Sequence, residues 1–396
     1  MGYSVILNTG ESNPDDETWG SGLGIKIFNP AGILLGTSGG ASQYGSDVCI
    51  DEASQTVINL GFKNVQAQTT IGRLPVYIPV VKGHNYDGTL KYNAYDWEAD
   101  SNMVVNGVTV PNPRYINRTN NNMADARAYK AEMGQDGKLY ILHEVSGGNH
   151  LFRYAPFNIS QSVPIVGGDN YFNFSNTGTE VKIVLTKHNP ADFSYIQGQQ
   201  LTNRLPPPLS KANTIFARSS GLAADSTGRV YLTGESAFGL PISLDYQPGE
   251  YTGGAYIYVL SPNFQTREIC TRLASNGKGR ALAVRSRTNW GYAGSTDQQT
   301  MYLQKPVQKT VGGLTDGFLV LKSTSVCGTM SSIKSGNWND PTVWSCDRIP
   351  MFDDNVVISP THTVTIPATF KSDGFNLTIR GTLQKLTTSG LNFNKD

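Results

Sequence analysis

Residues 220–236 read SGLAADSTGRVYLTGES: a short apolar run, a polar turn from Asp225 to Gly228, and a second run rich in β-forming residues. Asp, Ser, Thr and Gly favour a tight turn, and Val, Tyr, Leu and Thr favour a strand, so this stretch predicts a β-hairpin. The same order recurs at 46–62 (SDVCIDEASQTVINLGF), 126–144 (ARAYKAEMGQDGKLYILHE) and 279–296 (GRALAVRSRTNWGYAGST). Such recurrence indicates one supersecondary unit that is used several times.

A single further strand follows each hairpin after a variable segment. These strands are GTLKYNAYD at 88–96, GTEVKIVLTKH at 178–188, GAYIYVLSP at 254–262 and GFLVLKS at 317–323. The N-terminal residues fit the same order but start midway, so we expect the first unit to lack its innermost strand. The pattern predicts an all-β protein with a β-propeller-like body of four to five or more blades. A β-sandwich is the alternative architecture.

The motifs between about 219 and 322 resemble the SBBP-type bacterial β-propeller repeat. In that repeat an AxD-turn-GxVYxTGxT hairpin precedes a glycine-aromatic-apolar strand, as in GLAADSTGRVYLTGES followed by GGAYIYVLSP. The resemblance is weak over 1–145 and poor over 146–218. The usual turn is replaced at 132–136 and at 286–289, and His143 and Glu144 stand in place of Thr and Gly. The resemblance implies an extracellular, repeat-built scaffold that rarely carries defined catalysis.

The chain changes character after residue 324, which predicts two domains, 1–324 and 325–396. The later segment contains GNWNDPTVW at 336–344, then DDNVVI, HTVTI and NLTIRGTL. It resembles the start of a glycine-rich extracellular β-domain and predicts a small solenoid-like or sandwich-like unit, which we expect to be incomplete. Trp338 and Trp344 either pack the entry loop against the first rung of this unit or stack on sugars; we favour the packing role.

Composition and charge narrow the classes of partner. The chain has 42 glycines, 20 prolines and 19 tyrosines, with 16% charged residues and a formal net charge of +1. This turn-rich composition is typical of β-proteins, and the near-zero charge argues against nucleic acid as a partner. No apolar run reaches the roughly 18 residues of a membrane-spanning helix, and the first residues lack a basic region and a cleavage site. We therefore expect that a signal peptide, if one existed, has been removed. The resemblance to the SBBP repeat implies a secreted or cell-surface location.

Four cysteines are too few for a disulfide framework. Cys327 and Cys346 flank a short segment rich in Trp and Gly, and a bridge between them would close a small loop. Cys49 and Cys270 lie in apolar runs far apart in the chain. We interpret these two as small buried side chains.

The chain shows no sequence motif for catalysis. The five histidines are scattered at spacings that do not favour a shared metal on one element, and nucleophile elbows, phosphate-binding loops and Cys-x-x-Cys pairs are absent. A glycosidase can take its two carboxylates from distant strands, so an enzyme on a propeller stays an alternative. We predict a non-enzymatic protein without a cofactor.

Two weak candidate sites remain. Aromatic rings beside a carboxylate could hold a sugar, and the residues in that pattern are Tyr86, Tyr92, Tyr95, Trp97 and Asp96. The alternative is a strand end whose rings pack across strands. Asp15, Asp16 and Glu17 could bind calcium, because this ion prefers several oxygen ligands from a flexible loop. A polar loop without metal is the safer interpretation.

Three functions are compatible with the sequence. The first is an adhesion scaffold that binds a glycan or a surface protein through propeller loops. The second is a polysaccharide-active enzyme with acids gathered from the inner strands. The third is a structural subunit that assembles by pairing of exposed β-edges.

Overall fold

The computed structural model is all-β and divides into two compact units. The first comprises residues 1–284 and 291–320, and the second comprises 285–290 and 321–396. Within the described part of the chain, no helix has the length and apolarity needed to cross a bilayer. The residues described are 3–8, 23–39, 44–69, 72–98, 100–116, 124–166, 170–172, 181–205, 211–218, 220–241, 253–286, 289–297, 312–323, 329–346, 349–350, 354–368, 371–374, 376–386 and 390–393.

Within the described residues, twenty-four strands precede residue 324. They are β1 (Ser4–Asn8), β2 (Leu23–Phe28), β3 (Leu34–Ser38), β4 (Tyr44–Asp51), β5 (Thr56–Thr69), β6 (Gly72–His84), β7 (Leu90–Tyr95), β8 (Asn102–Val105), β9 (Val108–Pro111), β10 (Ala126–Met133), β11 (Leu139–Val145), β12 (Tyr154–Ala155), β13 (Asn158–Ser162), β14 (Lys182–His188), β15 (Tyr195–Leu201), β16 (Asn203–Arg204), β17 (Ala212–Asn213), β18 (Gly221–Ala224), β19 (Val230–Ala237), β20 (Gly253–Leu260), β21 (Arg267–Ser275), β22 (Gly277–Ser286), β23 (Asn289–Thr296) and β24 (Asp316–Ser323). Two short 3-10 helices span Leu151–Arg153 and Asn170–Phe172.

Five principal sheets follow one another along the described residues of this part of the chain. Sheet 1 is β1-β2-β3, sheet 2 is β4-β5-β6-β7, sheet 3 is β10-β11-β14-β15, sheet 4 is β18-β19-β20-β21 and sheet 5 is β22-β23-β24. Strands that are neighbours in sheets 1 to 4 pair antiparallel. The repeat seen in the sequence therefore corresponds to successive antiparallel meanders. Among the described residues, sheets 1 and 5 have three strands each and sheets 2 to 4 have four.

The turn in the repeat of sheet 4 shows why the sequence folds in this way. The backbone amide of Thr227 donates to Asp225 Oδ1 at 2.9 Å, and the amide of Arg229 donates to the same oxygen at 3.1 Å. Gly228 has φ +83°, a conformation that suits glycine because it lacks a Cβ atom. The turn then leads directly into the antiparallel pairing of β18 with β19.

The core of the first unit lies in layers between consecutive sheets. One cluster joins sheets 2 and 3 and includes Leu60, Val81, Ile141 and Val184. A second joins sheets 3 and 4 and includes Leu142, Leu185, Leu222, Leu232 and Tyr258. Sheet 3 thus has a buried layer on each face, and every residue of β11 is buried.

The second unit is built from parallel strands. Its elements are β25 (Thr329–Ser331), β26 (Gly336–Asn337), a 3-10 helix (Pro341–Val343), β27 (Asn355–Ile358), β28 (Thr363–Ile366), β29 (Lys371–Gly374), β30 (Asn376–Ile379), β31 (Thr382–Lys385) and β32 (Gly390–Phe393). Successive turns of chain add strands to the parallel sheets β25-β27-β30, β26-β28-β31 and β29-β32.

The two tryptophans singled out in the sequence lie in the core of the second unit. Trp338 and Trp344 are fully buried, their ring centroids are 4.9 Å apart, and Trp344 Nε1 donates to the carbonyl of Trp338 at 2.9 Å. Val356, Ile358, Val364 and Ile366 pack with them. Both rings are therefore packing residues.

Candidate functional site

A short hairpin leaves sheet 2 and forms a two-stranded sheet of its own. Strands β8 and β9 pair antiparallel, with Val105 opposite Val108 and Met103 opposite Val110. The turn residues Asn106 and Gly107 have φ +50° and +80°. Asn-Gly with two positive φ angles is the sequence and geometry of a type I′ turn, which matches the twist of a tight hairpin. We call residues 102–111 the finger.

The finger exposes aliphatic side chains. Paired residues of a hairpin share a face, so Met103, Val105, Val108 and Val110 form one wholly apolar face. Met103 is 40% exposed, Val105 44% and Val108 60%. Val104 is 69% exposed on the opposite face, where its partner is Thr109. A contiguous exposed apolar surface on an ordered loop is typical of an interaction site.

Backbone hydrogen bonds close the base of the finger. The amide of Asn112 donates to the carbonyl of Ser101 at 2.9 Å, and the amide of Glu98 donates to the carbonyl of Arg114 at 2.8 Å. The amide of Ile116 in turn donates to Glu98 at 2.8 Å, and the Ile116 side chain is buried in the core beside Trp97. The finger therefore projects from a fixed support.

A group of charged side chains lies at this base, and we call it the anchor cluster. Lys63 Nζ on β5 lies 2.6 Å from Asp96 Oδ1 and also contacts Glu98 Oε1. Asp96 Oδ2 accepts from Asn93 Nδ2 at 2.7 Å and pairs with Arg114. The side chains of Lys63 and Asp96 are 15% and 14% exposed, so the pair at the centre is largely shielded from water.

Lys82 extends the positive charge of the anchor cluster. Burial lowers the pKa of Lys82, Asp96 opposes this effect, and Arg114 and Lys63 lower the pKa further. Asp96 therefore lies within a locally cationic environment.

Two consecutive residues at the anchor cluster have strained backbone. Tyr95 has φ +60° and Asp96 has φ +40°, a region that non-glycine residues rarely adopt. Their amides donate to the carbonyls of Pro156 at 2.7 Å and Pro79 at 3.0 Å. Such strain persists only where surrounding structure holds it, and it often marks functional sites.

The residues proposed as a sugar platform divide between the core and the anchor cluster. Tyr92, Tyr95 and Trp97 are buried in the layer between sheets 2 and 3. Tyr92 donates its hydroxyl to the carbonyl of Pro190 at 3.1 Å, and Tyr95 packs edge-on against Phe152 with 5.1 Å between centroids. These three rings therefore pack in the core between two sheets, and not at a strand end as the alternative had it, so their faces are not open to a sugar.

The remaining predicted site residues lie apart from the finger. Tyr86 is partly buried, and its ring centroid is 4.4 Å from that of Tyr3. Asp15, Asp16 and Glu17, the calcium candidates, lie outside the described residues, as does Cys327. Cys346, its predicted partner, is disulfide-bonded. Cys49 and Cys270 are not in disulfides, and Cys270 is buried.

A second titratable group lies between the first strands of sheets 2 and 3. Lys130 Nζ on β10 is 3.0 Å from Asp47 Oδ2 on β4, and the amide of Ala131 donates to the same oxygen at 3.0 Å. Burial raises the pKa of Glu132 to about 7; Lys130 opposes the rise and Asp47 adds to it. A carboxyl group with this pKa can exchange a proton near neutral pH.

Three of the five histidines are buried in or beside sheet 3. Burial lowers the pKa values of His143, His150 and His188, so all three are neutral at physiological pH. His143 and His188 stack on Phe152 and Phe193, with 3.6 Å and 4.0 Å between centroids. Among the described residues, no group of three or more His, Cys, Asp or Glu side chains could hold a metal ion.

No protein-family model matches the chain, and a search of curated proteins also finds no match. The resemblance to the SBBP repeat therefore stays a prediction. Sequence reasoning had selected Asp96 but missed its partners Lys63 and Arg114 and the finger itself. One signal was present in the sequence, because VVNGVTV at 104–110 places Asn-Gly between two aliphatic runs, a strong hairpin signal.

Proposed function

We propose that this chain is a secreted or cell-surface bacterial adhesion scaffold that binds a partner protein through the apolar face of the finger. The observation that carries the proposal is the exposure of Met103, Val105 and Val108 on a hairpin whose base is fixed. Burying each such side chain against a partner contributes about 1 to 2 kcal/mol. Sugars are usually held by aromatic rings, and the finger contains no aromatic side chain. We therefore favour a protein over a glycan as the partner.

The arrangement of the sheets supports a β-propeller-like body for this scaffold. Hydrogen bonds link β10 and the turn after it to the first strands of the neighbouring sheets: the amide of Ala131 donates to Asp47, and the amide of Gln135 donates to the carbonyl of Ala224 at 3.1 Å. In a propeller the first strand of every blade lies innermost, next to those of its neighbours. For the second unit we propose a small solenoid, since each turn of chain adds parallel strands to the same sheets.

Site-specific photo-crosslinking tests the proposed binding. A photoreactive residue at Val105 should give a discrete protein adduct with the envelope proteins of the producing bacterium. The same residue at Leu90, an exposed position on β7, should give none. Val108→Asp should reduce the Val105 adduct about tenfold, because it places a charge in the apolar contact.

Val104→Asp is the matched control, since it adds the same charge to the opposite face of the finger. It should leave the adduct in place. Equal loss in both variants, or no adduct at all, would refute the proposal. If the adduct is a dimer of the chain and light scattering shows a mass that grows with concentration, the partner is a second copy.

A polysaccharide-active enzyme is the second candidate, and the Glu132 group favours it. Asp47 and Glu132 come from the first strands of neighbouring sheets, where acids would gather in a propeller enzyme. A carboxyl group that keeps its proton near neutral pH is suited to general acid catalysis. Release of reducing ends from a polysaccharide panel, lost in Glu132→Gln but kept in Glu235→Gln, would establish this function. No release from any substrate would remove it.

A further inference from the structure

The two oxygens of Asp96 have different partners, and this asymmetry has a chemical consequence. Oδ1 faces Lys63 Nζ at 2.6 Å. Oδ2 accepts from Asn93 Nδ2 at 2.7 Å and pairs with Arg114 Nη1. Glu98 Oε1 contacts the same Lys63 Nζ. The Lys63 amine is therefore in direct contact with two carboxyl groups. One is that of Asp96, whose other oxygen is hydrogen-bonded, and the second is that of Glu98.

This set contains the groups needed to form an amide bond. Lysine amines act as nucleophiles when an adjacent base takes their proton and water is largely excluded. We propose that Lys63 and Asp96 condense into an intramolecular isopeptide bond, with Glu98 as the proton-transfer group, so that the base of the finger is covalently joined to β5. The bond is independent of what the finger binds.

The atoms balance without any further reactant. Glu98 accepts a proton from the Lys63 ammonium and passes it to Oδ1 of Asp96, so that a neutral amine faces a neutral carboxyl group. The amine then attacks Cγ of Asp96, forming the N–C bond. Negative charge develops on Oδ2, where Asn93 and Arg114 donate hydrogen bonds to it, in the manner of an oxyanion hole. Glu98 then takes a second proton from Nζ and gives it to the Oδ1 hydroxyl, which leaves as water when the C–Oδ1 bond breaks. One ammonium and one carboxylate become one amide and one water, and Glu98 ends as it began.

The fold holds the reacting groups in place before reaction. Lys63 extends from the interior of the long strand β5, and Asp96 is fixed by two left-handed backbone positions that hydrogen bonds to Pro156 and Pro79 maintain. Restricting two reactants to contact distance greatly raises their effective concentration. The low exposure of both side chains limits competition from bulk water.

Intact mass spectrometry of the full chain, denatured and reduced, tests the bond directly. Reduction removes the contribution of the disulfide at Cys346. The expected mass is lower than that of the sequence by one water. Protease mapping should recover one branched species that contains both Lys63 and Asp96.

Variants show whether the loss of one water comes from the Lys63–Asp96 bond or from another site in the chain. Lys63→Arg keeps the positive charge but should restore the full mass, while Lys91→Arg, on β7 outside the anchor cluster, should keep the loss. Glu98→Gln should slow the reaction and leave a mixture of both masses. Because Lys63→Arg could also fail to fold, the branched peptide of the unaltered chain decides the matter.

A mass equal to that of the sequence, with no branched peptide, would show an ion pair only and would overturn the proposal. Val108→Asp should keep the mass loss even though it weakens partner binding. The failure of one proposal can therefore be told from the failure of the other.

Discussion

The two units use β-strands in opposite ways. In sheets 3 and 4 of the first unit the strands are antiparallel, yet β11 and β20 are buried at every residue. In the second unit the strands are parallel, yet β27 and β28 alternate between buried and more exposed residues. Parallel sheets are usually the ones covered on both faces. Here the number of packed layers, and not strand direction, decides the pattern of burial.

The difference also concerns how the cores are distributed. The first unit spreads its apolar contacts over two large layers between sheets, whereas the second has one small cluster centred on Trp338 and Trp344. A small cluster has few neighbours that can compensate for a lost side chain. We therefore expect the truncation of a single buried side chain to lower stability most in the second unit.

The largest expected effect is that of Trp344→Ala. The ring is fully buried against Trp338, so its removal should cost about 3 to 5 kcal/mol and unfold the second unit. Amide hydrogen exchange should rise across 355–366 and stay unchanged across 139–145. Ile333→Ala is the control, because that side chain is exposed and its loss should change little. Equal exchange increases in both segments would show that the two units do not differ in this way.

An intermediate effect is expected where β18 and β22 approach closely within the first unit. A Cβ atom on Gly221 would lie 2.8 Å from the backbone of Ala281 and of Leu282. Gly221→Ala should therefore lower the free energy of unfolding by about 1 to 3 kcal/mol, measured by urea denaturation. Gly39→Ala, where a Cβ would meet nothing within 4 Å, should be neutral or slightly stabilising. A neutral Gly221→Ala would mean that the packed layers tolerate more than this contact indicates.

The smallest expected effect is a pH dependence specific to the first unit. Burial raises the pKa of Glu132 from its ordinary 4.5 to about 7. The positive charge of Lys130 opposes this rise, and the negative charge of Asp47 adds to it. The folded chain therefore binds more protons than the unfolded chain between these values, and stability falls as the pH rises through this window.

Glu132→Gln should remove this fall, which we expect to be on the order of 1 kcal/mol after screening by solvent. Urea midpoints at about pH 5 and about pH 8 should differ less in the variant than in the unaltered chain. Identical pH dependence in both would show that Glu132 titrates as an exposed carboxyl group does.

Much of the fold was open to prediction because its signals are local. The Asp225–Gly228 turn and the strands beside it follow from residue types within a few positions. A packing role for Trp338 and Trp344 was also expected, from the resemblance of their segment to the start of an extracellular β-domain. The Asn-Gly turn of the finger also had a local signal in the sequence. The exposure of the finger's aliphatic side chains had none.

The sequence by itself determined the β-strands, their turns and the change of pattern near residue 324, because chain neighbours decide turn geometry and strand propensity. Only the tertiary structure decided that Tyr92, Tyr95 and Trp97 are buried, and that Lys63 meets Asp96 at 2.6 Å. It also decided that Asp47 lies beside Lys130. Burial and charge pairing depend on which sheets stack and on which strands align, and residues far apart in the chain carry no local signal of either.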